Sequence, residues 1–191
     1  MRDNLARQEE RREELIGGNV TAMSPRPMFN HNRIASNIYW IFENYLRGRI
    51  CTPIADGTDL YLSDREQYVP DGMIVCDRDK IQRKGVYGAP DLVLEVLSHS
   101  TAKYDRGHKR DVYEACGVKE YWIVDPDKES IEQYLLKDTG RFDLAAIYKI
   151  YSEEELEDMD QEERAAVKMV FQCSLFPELD IHVEDVFDGL L

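Results

Sequence analysis

Two Pro-Asp pairs, Pro70-Asp71 and Pro90-Asp91, each open a short apolar run, and the second run carries Glu95 in its middle. A carboxylate among Val, Ile and Leu costs desolvation energy unless something compensates it. The polar segment 77–89 contains Gly85 and Gly88, and it predicts that 69–76 and 90–97 pair as antiparallel strands. A hairpin centred near residue 83 puts position 71 opposite 95 and position 75 opposite 91. Asp71 and Glu95 then become cross-strand partners on one face, with Cβ atoms about 4.5–5.5 Å apart. Two carboxylates so placed repel, so one takes up a proton or a cation sits between them. Oxygen ligands with room for water suit Mg²⁺ or Mn²⁺. Asp91 shares the face of Glu95, but four residues of strand span about 13 Å. It ranks as a secondary candidate beside its simpler reading as a strand entry that caps a turn.

The segment after Ser100 supplies bases: Lys103, Arg106, Lys109 and Arg110. Asp105 and Lys109 are spaced i, i+4, which as a surface ion pair contributes about 0.2–0.5 kcal/mol. The other reading turns Lys109 back toward the acid pair, where it offsets charge in a transition state and positions an attacking water. The spacing leaves both open.

The elements that would position these residues follow from periodicity. Residues 6–16 predict an amphipathic helix stopped at Gly17-Gly18, and "NVTAMSP" a short strand halted by proline. "HNRIASNIYWIFENYL" (31–46) has a helical apolar period and carries His31 and Glu43. Strands follow at "CTPIADGTDLYL" and at the two Pro-Asp segments, then a helix over 101–117. "EYWIVD" (120–125), "SIEQYLL" and "RFDLAAIYKI" predict further strands, and Tyr121 and Trp122 read as core aromatics. "SEEELEDMDQEER" (152–164) holds eight acids and reads as a solvated helix, and "SLFPELDIHVEDVF" as the segment that closes a sheet edge. This order predicts an α+β protein, a mixed β-sheet flanked by helices.

With 191 residues, one domain over 1–191 is expected, with 152–164 as an acidic helical elaboration. No apolar stretch approaches the roughly 18–20 residues of a bilayer span, and "MRDNLARQEERREEL" lacks a signal-type apolar core, so no membrane association and a cytoplasmic location are expected. Cys51, Cys76, Cys116 and Cys173 lack ligand spacing, which argues against a zinc site and a disulfide framework; Cys76 and Cys116 read as small core residues. The net charge of −14 repels nucleic acid on average, so contact with DNA requires a local basic patch or dimerisation.

At "VPDGMIVCDR…GAPDLVLEVLSHSTAKYDRGHKRDVYEACGVKEYWIVDP" the chain resembles the Uma-type restriction endonuclease family of the PD-(D/E)xK nuclease superfamily. The match is most specific over 69–126 and extends from "ELIGGNVTAMSP" to "LFPELDIHVEDVF". The resemblance implies a restriction-endonuclease-like fold of α/β type and a Mg²⁺-dependent endodeoxyribonuclease acting on DNA. Asp71 stands at the Pro-Asp aspartate and Glu95 at the (D/E)xK acid. Position 97, where that triplet has lysine, is Leu97, which makes Lys109 on the following helix the candidate replacement. Asp71, Glu95 and a main-chain carbonyl near Val96 would hold the metal, while Glu43 and His31 are secondary candidates for its shell or for substrate. His99 is a weak candidate for substrate contact.

Three readings compete. The leading one is the metal-dependent endonuclease, expected as a homodimer because cutting both strands of a duplex needs two sites. The alternative is a catalytically inert nuclease-fold module that binds nucleic acid or protein, which net charge −14 and Leu97 favour. A hydrolase of small phosphoesters ranks last, since no phosphate-cradling glycine loop is present.

Overall fold

The computed structural model describes residues 13–22 and 28–191. Strands β1 (Glu13–Ile16) and β2 (Asn19–Ala22) form a hairpin about Gly17 and Gly18. Both glycines have positive φ, 57° and 87°, the conformation that a two-residue hairpin turn requires. The helix predicted over 6–16 is thus corrected at 13–16, where the chain is a strand with Glu14 buried. The Gly-Gly pair turns the chain back on itself instead of stopping a helix. The rest of that prediction, at 6–12, lies outside the described residues, as does the 23–25 end of the predicted strand.

Helix α1 (Phe29–Leu46) buries Ile34, Ile38, Phe42 and Leu46, one side chain per turn. Each contributes about 1.5–3 kcal/mol by leaving water. Next come β3 (Thr52–Ala55), β4 (Leu60–Ser63), β5 (Glu66–Tyr68) and β6 (Gly72–Val75). The polar segment 77–89 is more than a loop. It holds a 3₁₀ turn (Arg78–Lys80) and the hairpin of β7 (Ile81–Gln82) and β8 (Gly85–Tyr87), before β9 (Leu92–Val96).

The helix predicted over 101–117 is present with a wider middle: α2 (Ala102–Tyr104), a π turn (Asp105–Lys109) and α3 (Arg110–Cys116). It stops at Gly117, whose φ of 86° suits a C-terminal cap. β10 (Glu120–Asp125), β11 (Ser130–Leu136) and β12 (Phe142–Lys149) match the predicted strands. The acidic stretch is two short helices, α4 (Glu153–Asp158) and α5 (Gln161–Ala166). Asp160 breaks it, because its side chain caps the second helix by accepting from the Glu162 and Glu163 amides. β13 (Val170–Cys173), β14 (Phe176–His182) and α6 (Val183–Val186) complete the chain.

Among the described residues the strands form two six-stranded sheets and one hairpin. The larger sheet runs β12-β11-β10-β9-β6-β3 and is mixed, with β9 and β10 parallel. The other runs β2-β1-β5-β4-β8-β7. The C-terminal segment does not close an edge of either; β13 and β14 pair only with each other. Buried Glu120 holds this hairpin, accepting from the Ser174 amide (2.8 Å) while Trp122 Nε1 (2.6 Å) and Gln133 Nε2 (2.7 Å) fill its other oxygen. One core joins α1, the C-terminal hairpin and one face of the larger sheet. A second lies on the opposite face, where Leu60, Tyr68 and Val86 meet Val93, Leu97, Tyr113 and Tyr121. Tyr121 and Trp122 are fully buried, as predicted.

Cys51 and Cys76 form a disulfide, against the expectation that Cys76 is a core thiol. Thr52 pairs with Val75, so the next residues outward face each other across the strand pair, a juxtaposition that a sequence separation of 25 conceals. No helix among the described residues is long and apolar enough to cross a membrane.

Candidate active site

The site sits where β6 begins and β9 ends. Gly72 pairs with Leu94, Met73 with Val93 and Ile74 with Leu92, so the predicted register holds and Asp71 lies across from Glu95. Gly72 permits this close pairing: a Cβ there would lie 2.9 Å from Leu94 Cδ2. The Asp71 carboxylate accepts from the Val96 amide at 2.7 Å and contacts His31 Nε2 at 3.2 Å. His31 lies in the first turn of α1, which delivers it to this strand end. Burial pulls the His31 imidazole down, but the hydrogen bond and charge of Asp71, with Asp56 and the Val96 backbone, outweigh it and raise its pKa.

Glu95 Oε1 accepts from Lys109 Nζ at 3.0 Å and from the Tyr113 hydroxyl at 2.7 Å. Lys109 also contacts Glu14 Oε1 at 3.4 Å and Asp105 Oδ1 at 3.5 Å. Relative exposures of 3% for Glu95, 5% for Lys109, 1% for Asp105 and 8% for Glu14 make this a buried cluster. The reading of Asp105–Lys109 as a surface pair is corrected accordingly. The π turn carries both residues, and the Tyr121 hydroxyl donates to the Asp105 carbonyl at 3.1 Å, which ties the turn to β10. Burial opposes the Lys109 charge, yet Glu95, Asp105 and Glu14 together hold its pKa above the usual lysine value. Burial drives Glu95 well above the usual carboxylate range, with Asp105 and Asp71 adding to the rise against the pull of Lys109 and Tyr113.

One ammonium therefore serves three acids, with Asp71 nearby, an arrangement that favours uptake of a proton or a cation. His31 Nδ1 is buried without a hydrogen-bond partner, and Asp105 Oδ1 has only the 3.5 Å ion contact of Lys109. Among the described residues no group of three or more His, Cys, Asp or Glu side chains is spaced to cage a metal ion. A cation that keeps much of its water, as Mg²⁺ does, needs only one or two carboxylates, and Asp71 and Glu95 are the side chains that could supply them.

The other candidates lie elsewhere. Asp91 accepts from the Cys76 amide and from Lys119 Nζ, each at 2.7 Å, at the opposite end of β9. It secures a strand entry. Glu43 pairs with Arg47 at 3.7 Å, and twelve residues of α1 set it about 18 Å from His31. His99, 93% exposed in its side chain, approaches Asp127 at 4.0 Å. Leu97 faces the second core. Sequence reasoning missed Glu14, and it gave Tyr113, which belongs to the Asp105–Lys109–Tyr113 spacing of the family resemblance, no role in the site. Tyr113 follows Lys109 at i+4, the signal that could have given it one; Glu14 sits in a mixed-charge run that reads as an amphipathic helix.

Two uncharacterized proteins of Synechocystis sp. are similar in sequence. One is 30% identical over 129 residues, covering 66% of this chain and 67% of that protein. The other is 26% identical over 136 residues, covering 68% and 76%. In structure, the chain resembles an Anabaena variabilis protein described as "a putative nuclease belonging to DUF820", with a TM-score of 0.68, 19% identity and coverage of 94% and 91%. That likeness establishes a shared fold. The family model Uma2, described as "Putative restriction endonuclease", matches residues 3–167. With most of its length matched and the fold shared, the chain belongs to the Uma2 family of restriction-endonuclease-like proteins.

Proposed function

We propose that the chain is a metal-dependent endonuclease that hydrolyses DNA phosphodiester bonds at the Asp71–Glu95 site. The observation that carries this reading is the buried crowding of acids, which favours uptake of a proton or a cation: Glu95, Asp105 and Glu14 share one lysine, with Asp71 across from Glu95. Asp71, Glu95 and the Val96 carbonyl would hold Mg²⁺ or Mn²⁺. A bound divalent cation lowers the pKa of a water and offsets charge on the phosphate. The protein's own residues prepare the place. The Val96 amide and His31 fix the Asp71 carboxylate, while Lys109 and Tyr113 fix Glu95. Lys109 stays protonated among its three acids, so it serves as fixed positive charge for the reacting phosphate and not as a base. A twofold homodimer, which would bring two such sites to a duplex, belongs to the same reading, and sedimentation with DNA checks it.

One observation favours the inert alternative: the described side chains form no ready-made group of three metal ligands. Supercoiled plasmid incubated with Mg²⁺ or Mn²⁺ separates the two. Nicking by the parent, lost in Asp71→Asn and Glu95→Gln, is the expected result. A parent that neither nicks plasmid nor binds Mn²⁺ in calorimetry would leave only the inert module.

A further inference from the structure

We propose that the β7–β8 hairpin is a phosphate-backbone contact for duplex nucleic acid, an inference that takes its ligand class from the nuclease reading. The chain has 24 bases against 38 acids, and many of its cations meet carboxylates, among them Arg33 with Asp188, Lys119 with Asp91 and Arg141 with Glu114. Residues 77–84, "DRDKIQRK", reverse that balance, with four cations against two acids. Arg78 donates to the Ile50 carbonyl at 3.2 Å and the Arg49 carbonyl at 3.4 Å. Lys80 donates to the Ala89 carbonyl at 2.8 Å. Carbonyls anchor these side chains and leave their charge in place. Arg83 and Lys84 form the hairpin tip, are exposed, and have no carboxylate partner among the described residues.

The hairpin is held firmly beneath that tip. Gly85 packs so closely on β4 that a Cβ would lie 2.3 Å from the Asp59 carbonyl oxygen, and its φ of 150° also resists a side chain. The Val86 amide donates to that carbonyl and the Gly88 amide to the Tyr61 carbonyl, each at 2.8 Å. The Tyr61 and Tyr87 rings stack at 4.5 Å between centroids. A pair of adjacent cations on a braced turn costs repulsion that an anionic partner relieves, with release of its counterions.

The tip also lies within a duplex footprint of the candidate site. Leu60 pairs with both Val86 and Tyr68, so Val86 stands two strand spacings, about 10 Å, from Tyr68. The Tyr68 ring centroid is 5.7 Å from Lys109 Nζ. Val86 thus lies roughly 15–20 Å from Lys109 Nζ and the tip at most about 7 Å beyond it, a span of up to about eight nucleotides at the 3.4 Å rise of one DNA strand.

The test uses the full chain, a fluorescein-labelled DNA duplex and EDTA, with anisotropy titrations over a salt series. Arg83→Gln/Lys84→Gln is compared with Lys128→Gln/Lys137→Gln, which removes the same charge from two exposed lysines flanking β11 in the other sheet. Loss of two phosphate contacts is expected to lower the salt slope by about 1.8, which is about 30-fold in affinity at 0.15 M salt. The control pair is expected to retain the parent slope. Equal weakening by both pairs, an unchanged slope in the hairpin variant, or a parent that does not bind duplex at low salt would each overturn the inference. Cutting that survives with hairpin-independent binding defeats this proposal alone. Hairpin-dependent binding without any cutting defeats the nuclease reading and leaves the hairpin standing.

Discussion

Replacing Lys109 by Met tests the charge arrangement at the site directly. Met keeps most of the stem volume, so the loss is that of the ammonium. Glu95, Asp105 and Glu14 then remain buried without their shared cation, at distances that were 3.0, 3.5 and 3.4 Å. Breaking a buried pair from the side that leaves charge unpaired costs about 3–5 kcal/mol. For a chain of this size that is a fall in Tm of about 6–20 °C. Glu95→Gln is the informative contrast, since Lys109 keeps two carboxylates and the Tyr113 hydroxyl can still donate to the amide oxygen; about 1–2 kcal/mol is expected. The double variant buries one carboxylate fewer than Lys109→Met alone, so its loss falls short of the sum of the single losses by about 1–3 kcal/mol. Urea unfolding followed by far-UV circular dichroism at pH 7 gives all three values. A Lys109→Met loss no larger than that of Glu95→Gln, or strict additivity in the double variant, would refute the picture of one lysine serving three acids.

Two further outcomes follow from the fold. Gly107 lies in the π turn without a left-handed φ, and a Cβ there meets nothing within 4 Å. Gly107→Ala is therefore expected to stabilise by about 0.4–1 kcal/mol in the same urea assay, and destabilisation would show that the turn depends on glycine. Unreduced, denatured protein should titrate two thiols, Cys116 and Cys173, with Cys51 and Cys76 joined. Closing that loop contributes about 3.5 kcal/mol on the chain-entropy view, so reduction should lower Tm, and four free thiols would rule the bridge out.

The part of the site that local sequence carries well is its strand geometry. Pairing of β6 with β9 follows from two apolar runs about a glycine-containing polar segment, and α1 follows from an apolar period that survives in the structure as Ile34, Ile38, Phe42 and Leu46. The surroundings of Lys109 were not readable in this way. An i, i+4 acid–base pair looks the same on a solvated helix as on a buried one, and β10 decides between them by laying Tyr121 against the Asp105 carbonyl. Glu14 was hidden because its run of alternating Arg and Glu pairs mimics a surface helix, whereas the Gly17-Gly18 turn folds it inward as a strand residue.

The absence of lysine at position 97 has a physical account in the same packing. Leu97 follows Glu95 on the same face of the strand and is buried among Val93, Tyr113, Val118 and Tyr121. A lysine there would have to place its ammonium among those apolar side chains or displace them. Lys109 approaches from the helix above and brings an ammonium within 3.0 Å of the same carboxylate, while Asp105 and Glu14 share the cost of its burial. The helix thus supplies the charge that the strand position cannot, and position 97 is left to the core. Exchanging the two residues, Leu97→Lys with Lys109→Leu, should accordingly fail to restore the site, because the acids that hold the ammonium are arranged around the π turn and not around the strand.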